Sequence, residues 1–137
     1  FVKFFFDEIE SSPEKERILM SVKRFEDIAS TPVAASEGIT RKMLISPEEG
    51  PHFAMRAFRI EPGASMPLHV NQVEHEQYVL RGRAQVIIGD QTLEVSEGAV
   101  VFIPANVPHS YTSLGNQAFE FLCLVPNLPD ETILVQK

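Results

Sequence analysis

Cysteine and tryptophan are the residues that this sequence has least of: there is one cysteine, Cys123, and no tryptophan. A single cysteine cannot close a disulfide within the chain, so the disulfide framework that supports many small secreted domains is excluded. This cysteine usage fits a reducing compartment. We therefore expect a cytoplasmic protein.

Positive charge and long apolar runs are also scarce. Lys and Arg total 12 against 19 Asp and Glu, which gives a formal net charge of −7. This balance offers no basic surface for a phosphate backbone, so we expect no nucleic-acid partner. The apolar stretch at residues 4–6 is flanked by Lys3 and Asp7, and it is far too short for a signal-peptide core or a membrane span. We expect no membrane partner either.

The composition that is present is typical of one globular domain of β-strands and turns. The 137 residues are 44% hydrophobic and 23% charged, which is ordinary for a folded domain of this length. The 10 prolines and 7 glycines stand mainly between short apolar runs, as turns stand between strands. The pattern predicts an all-β fold with strands over residues 39–45, 53–60, 76–80, 84–88, 92–95, 100–103, 110–112 and 119–125.

One short helix is predicted near the N-terminus. Ser11 or Ser12 is a suitable N-cap, Pro13 suits the first turn, and acidic residues follow it. We expect this helix to end near Lys23. The predicted organisation is an N-terminal extension over residues 1–38, a barrel over 39–126 and a C-terminal tail over 127–137.

Three of the four histidines lie in two blocks that begin with glycine. In the first block Gly63 is followed by five residues, His69, one residue, Asn71, three residues, His75, six residues and Gly82. Residues two apart in an extended chain point to the same face, so His69 and Asn71 share a face. His75 and Gln77 share a face for the same reason, whereas Glu76 points the other way, toward solvent.

The second block begins fifteen residues after the first one ends. Gly98 is followed by five residues, Pro104, one residue, Asn106, two residues and His109. If the turn through Asn106 returns the chain onto the next strand, three imidazoles converge at one end of the barrel. Three neutral imidazoles would leave a divalent ion its full charge and open positions for an anionic ligand and dioxygen. A single histidine near a strand is more often a structural residue, so the prediction depends on the whole pattern.

The two blocks resemble the two sequence motifs of the cupin superfamily. The resemblance implies a single cupin barrel, also called a jelly roll, in which the family's ligand positions are occupied by His69, His75 and His109. Asn71 stands where the family has a second histidine, and it is a weak fourth oxygen donor or an anchor for bound water. His75 stands in place of the usual glutamate, as in small manganese-binding bacterial cupins that are rich in histidine. Asn106 replaces a glycine, which asparagine tolerates because it adopts left-handed conformations.

The cofactor implied by this resemblance is one divalent transition metal per chain, with Mn²⁺ or Fe²⁺ favoured. Imidazole also binds Zn²⁺, Ni²⁺ and Cu²⁺, so the ligand set alone does not choose the metal. Resemblance further implies a homodimer built by exchange of N-terminal strands, for which residues 1–6 supply apolar surface.

The residues expected around the metal site form a small pocket. Arg56 and Arg59 have opposite parity on one predicted strand, so one of them should face inward and could bind a substrate carboxylate or enolate. Cys123 is either a small buried hydrophobe or a group on the substrate side, and Tyr111 either packs in the core or donates to a bound ligand. The predicted pocket residues are Met66, Gln77, Tyr111, Phe121, Cys123 and Arg56.

The function expected from these residues is that of a mononuclear metal cupin acting on a small organic molecule, as an oxygenase or a related oxidoreductase. Two alternatives stay open at this point: a metal-stabilised protein that binds a small molecule without turnover, and a cupin isomerase.

Overall fold

The computed structural model describes residues 20–34 and 36–136. This part of the chain contains one short 3-10 helix, Phe25–Asp27, and eleven strands. The strands are β1 (Thr31–Pro32), β2 (Ile39–Ile45), β3 (Phe53–Ile60), β4 (Ser65–Val70), β5 (His75–Arg81), β6 (Arg83–Ile88), β7 (Gln91–Ser96), β8 (Val100–Ile103), β9 (His109–Leu114), β10 (Phe119–Pro126) and β11 (Ile133–Leu134).

The strands form two antiparallel sheets that enclose the core. One sheet has the order β1-β2-β3-β10-β5-β8, and the other has the order β11-β4-β9-β6-β7. The all-β prediction is confirmed. All eight predicted strands are present, and β2, β3 and β8 begin and end where the sequence placed them.

The N-terminal helix is the part of the fold prediction that is wrong where it can be compared. Residues 20–24 carry no helix, and the described residues contain no helix longer than the 3-10 turn. Lys23 instead reaches across to the barrel, where its Nζ donates to Leu44 O at 2.8 Å and to Glu49 Oε1 at 2.6 Å. The next residue, Arg24, has an extended backbone with φ −95° and ψ 138°. The remainder of the expected helix, and the expected exchange strand, lie outside the described residues.

Strand β10 shows how alternation builds the core. Phe119, Phe121 and Cys123 are buried and point between the sheets, while Glu120 and Leu122 lie on the outer face. The inner aromatic rings pack together: Tyr111 stacks on Phe121 with centroids 5.1 Å apart, and Phe119 lies tilted against Phe121 with centroids 5.3 Å apart. The end of the barrel beyond these rings carries the histidines.

The turn before β9 has the conformation that its asparagine was expected to allow. Asn106 has φ +64°, and it is the non-glycine residue with positive φ in the described chain. Its N–H donates to Asn71 O at 2.8 Å, which joins this turn to the end of β4. Residues 20–34 and 36–136 include no helix with the length and apolar character needed to cross a membrane.

Candidate metal centre and pocket

The three predicted histidines come together at one end of the barrel. His69 on β4 and His109 on β9 are directly opposite in the strand register, and their ring centroids are 4.2 Å apart. His75 comes from the facing sheet at the start of β5, and its ring centroid is 5.5 Å from that of His109. All three side chains are buried.

Hydrogen bonds define the tautomer of two of these rings. His69 Nδ1 lies 2.7 Å from Pro67 O, and His109 Nδ1 lies 2.9 Å from Val107 O. A carbonyl oxygen only accepts, so Nδ1 must carry the hydrogen in both rings, and Nε2 presents a lone pair. Metal-binding histidines commonly have this arrangement, in which the second ring nitrogen donates to a backbone carbonyl.

Burial keeps the histidines neutral. Loss of solvent lowers the pKa of His75 to about 3, with the nearby Arg56 guanidinium acting in the same direction. Burial lowers the pKa of His109 to about 4, against the opposing effect of its bond to Val107 O, and it also lowers the pKa of His69. Neutral imidazole is the form that binds a metal ion.

The imidazole nitrogens are suitable ligands for a divalent metal ion, although the three rings are not arranged around a common coordination centre. The Nε2 atoms of His75 and His109 are buried and have no hydrogen-bond partner. Within the described residues, however, no group of three or more His, Cys, Asp or Glu side chains has the arrangement of a finished metal site. Binding an ion would therefore require the rings to turn toward one another.

A cavity of about 170 Å³ adjoins the three imidazoles. Its apolar wall includes Phe58, Met66 and Phe121, and Tyr111 also lines it. Of the predicted pocket residues, Met66, Tyr111, Phe121 and Arg56 are therefore at the cavity surface. The other lining residues are Val33, Ala34, Ser36, Arg41, Pro67, His69, Asn71, His75, His109, Thr132 and Leu134.

The comparison with known proteins agrees with this architecture. A family model described as a cupin domain matches residues 56–125, just over half of the chain. The chain belongs to the cupin family.

Individual relatives extend the match beyond that segment. The 1-methylthio-D-xylulose 5-phosphate methylsulfurylase of Rhodospirillum rubrum is 30% identical over 107 residues, which are 74% of this chain and 68% of that protein. The polyketide cyclase RemF from Streptomyces resistomycificus superposes with a TM-score of 0.77 and 28% identity, over 87% of this chain and 89% of that one. A cupin-2 domain protein from Rhodospirillum rubrum gives a TM-score of 0.75 and 25% identity, over 87% and 82% of the two chains. The methylsulfurylase and the polyketide cyclase are enzymes that act on small molecules.

Asn71, which replaces the second histidine of the cupin motif, attaches the C-terminal segment to the barrel. Its Nδ2 donates to Asp130 Oδ2 at 3.1 Å and to Thr132 Oγ1 at 2.9 Å, and Asp130 Oδ1 accepts from the N–H of Gln72 at 2.7 Å. These bonds hold β11 beside β4, where Leu134 pairs with His69. Asn71 Oδ1 is buried and unpartnered, so it can still serve as an oxygen donor.

This role of Asn71 predicts the effect of Asn71→Ala. The variant should lose about 1–3 kcal/mol of stability, because two partly buried hydrogen bonds are removed and one of them ends on a carboxylate. Hydrogen exchange at the amide of Val135, which donates to Leu68 O at 3.0 Å, should become faster, whereas amides in β6 should be unaffected. Unchanged protection at Val135 would contradict the role assigned to Asn71.

Gln77 and Cys123 lie behind the cavity wall and do not line it. Gln77 Nε2 donates to the Tyr111 hydroxyl at 2.7 Å, and that hydroxyl donates to Gln77 Oε1 at 3.0 Å, so the phenol proton is already used within the protein. Cys123 is fully buried, with its Sγ 3.3 Å from Arg56 Nη2 and 3.4 Å from His75 Nδ1. Burial raises the pKa of the Cys123 thiol. These two side chains therefore support the site from behind.

The remaining expectations about the site concern residues that point away from it. Glu76 is exposed on the outer face of β5, next to Glu74, and partial loss of solvation together with that neighbour raises its pKa. Arg59 is exposed and pairs with Glu61 at 2.7 Å, so Arg56 is the inward arginine of β3. His52 is exposed and does not line the cavity. Arg41 on β2 also lines the cavity but was not predicted to do so, although antiparallel pairing of β2 with β3 places it near Arg56.

Proposed function

We propose that this cupin is an enzyme that binds one divalent transition metal through His69, His75 and His109 and acts on a small organic molecule in the adjoining cavity. The observation that carries the proposal is the pair of buried, unpartnered Nε2 atoms of His75 and His109 beside the ring of His69. A buried ring nitrogen without a partner is costly unless something binds it. A divalent ion is a suitable partner for neutral imidazoles.

The residues around the proposed metal site have different roles. Pro67 O and Val107 O hold the rings of His69 and His109 in the tautomer that presents Nε2. The apolar cavity wall excludes water from the substrate. When bound, the ion would act as a Lewis acid that polarises a substrate oxygen. The resemblance to manganese- and iron-binding cupins favours Mn²⁺ or Fe²⁺.

The specific reaction that we propose is an oxygenase or related oxidoreductase reaction. Three neutral donors leave the ion its charge and open positions, which suits an anionic substrate together with dioxygen. The cyclase and methylsulfurylase activities of relatives favour a second candidate, a metal-assisted rearrangement or elimination without dioxygen. A dioxygen electrode with diketones, catechols, flavonols and thiols as substrates separates the two: turnover without dioxygen uptake would replace the first with the second. A ligand that binds without any turnover would indicate a binding protein.

The metal site itself is tested by metal analysis. After reconstitution with Mn²⁺, Fe²⁺, Zn²⁺, Ni²⁺ or Cu²⁺, the protein should hold one ion per chain. His109→Ala should weaken binding at least about 100-fold, because losing only a supporting hydrogen bond of a ligand already costs about 10–100-fold.

The matched control is His52→Ala, which removes an exposed histidine outside the cavity. It should bind the metal as the unmodified protein does. Less than one ion per chain with all five metals, or an equal loss in the two histidine variants, would rule out the proposed site.

A further inference from the structure

The cavity beside the histidines carries positive charge and no carboxylate. Arg41 and Arg56 both line it, and none of its lining residues is Asp or Glu. Since the three imidazoles are neutral, the two guanidinium groups are the charged groups that line the cavity; the nearby Asp130 carboxylate is exposed and accepts from Asn71 Nδ2. A bound divalent ion would add to that positive charge. The site therefore favours an anion.

Arg56 is a half-buried cation that forms no ion pair with any of the described residues. Its Nη2 donates to Cys123 Sγ at 3.3 Å, and its guanidinium lies 5.1 Å from the centre of the Phe58 ring. Its Nε is buried and has no partner. Burying a charge is unfavourable unless it is paired, and a planar guanidinium matches an oxyanion with two parallel hydrogen bonds.

Arg41 reaches the same cavity from the neighbouring strand. In the register of β2 and β3, Arg41 is opposite Phe58, and Met43 is opposite Arg56. The two arginines are therefore diagonal neighbours on the inner face of the sheet, close enough for long side chains to contact one ligand. Arg41 is half-buried and forms no ion pair within residues 20–34 and 36–136.

We propose that the cavity selects a small organic molecule with an oxyanion head, which Arg41 and Arg56 bind, and an apolar body, which packs on Phe58, Met66 and Phe121. The volume of about 170 Å³ is close to the roughly 150 Å³ of a cavity that accommodates benzene. A ligand with a benzene-sized body therefore fills it. The inference deepens the proposed function, because it names the class of molecule that the metal site would act on.

Benzoate and benzamide are the probes that test this selection, since they have nearly the same shape and differ in charge. With metal-free, chelator-treated protein in a calorimetric titration, benzoate should bind at least about tenfold more tightly than benzamide, as expected for charge-assisted hydrogen bonds. Phenyl phosphate in a parallel titration shows whether the site prefers a phosphate or a carboxylate head. Either preference supports an oxyanion site.

Arginine variants test whether Arg41 and Arg56 bind the oxyanion. Arg41→Gln and Arg56→Gln should each weaken benzoate binding at least about tenfold and leave benzamide binding unchanged. The matched control is Arg59→Gln, three residues from Arg56 on the same strand, where the arginine is exposed and paired with Glu61 and Glu120. This control should bind benzoate as the unmodified protein does.

Two results would overturn the inference: neither benzoate nor phenyl phosphate binding more tightly than benzamide, or an equal loss in Arg59→Gln and Arg41→Gln. Metal binding is measured separately on the same variants, so the two proposals fail independently. A protein that binds benzoate through its arginines but holds no metal would retain this inference and lose the proposed metal chemistry. A protein that holds metal but binds neither benzoate nor phenyl phosphate more tightly than benzamide would lose this inference and retain the proposed metal site.

Discussion

Gly82→Ala should lower the free energy of unfolding by at least about 3 kcal/mol, the sum of backbone strain and an unavoidable contact. Gly82 joins β5 to β6 with φ +75°, and a Cβ there would overlap Ala118 O and lie 3.0 Å from the Cα of Phe119. Both are backbone atoms of the segment that leads into β10, so they cannot rotate away. The thermal midpoint should fall by about 10 °C or more. Circular dichroism measures this midpoint, and urea unfolding measures the free energy of unfolding.

The control for this prediction is Gly63→Ala. Gly63 has a similar φ of +79°, but a Cβ there meets nothing within 4 Å. This variant should therefore lose only the cost of a left-handed backbone, about 1–2 kcal/mol. Equal losses at positions 63 and 82 would show that the approach of Ala118 does not limit position 82.

Acidification should destabilise the metal-free protein strongly. An unfolded histidine has a pKa near 6.5, whereas burial lowers the pKa of His75 to about 3 and that of His109 to about 4. Between these values the unfolded state binds more protons than the folded state, so stability falls as the pH decreases from 6.5 toward 4. Each of the two histidines should cost about 2 kcal/mol at pH 5 relative to pH 7, or about 4 kcal/mol together.

Urea unfolding at a series of pH values, with chelator present, measures this loss. Other groups also titrate in this range, so the contribution of a single histidine is taken as the difference between variants. His109→Gln should remove about half of the expected pH dependence, whereas His52→Gln, at an exposed position, should retain all of it. The same pH dependence in both variants would contradict the assigned cause.

Alternation along single strands explains why most of the barrel was predicted correctly. The odd-numbered residues of β10 were expected to face inward because the even-numbered set includes the charged Glu120, and the structure buries Phe119, Phe121 and Cys123. Strand β4 was missed because Pro67 removes a backbone donor from it. Its register with β9 shifts between Met66 and His69, the stretch that contains this proline.

The shortest strands were beyond sequence prediction for a different reason. β1 and β11 have two residues each, too few for any period to show. They are strands only because β2 and β4 lie beside them. The end of the predicted N-terminal helix was wrong for a related reason, since the contacts of Lys23 with Leu44 and Glu49 lie outside its own segment.

The sequence by itself determined the all-β class, the inner faces of the strands, the left-handed turn at Asn106 and which three histidines meet at one end of the barrel. Each of these depends on local spacing, because a period of two assigns every side chain of a strand to one face. Only the tertiary structure decided that Arg41 joins Arg56 in the cavity and that Asn71 binds Asp130. Arg41 and Arg56 lie on different strands, and Asn71 and Asp130 are 59 residues apart in the chain. Such contacts depend on which strands become neighbours, and no single segment of the sequence encodes that.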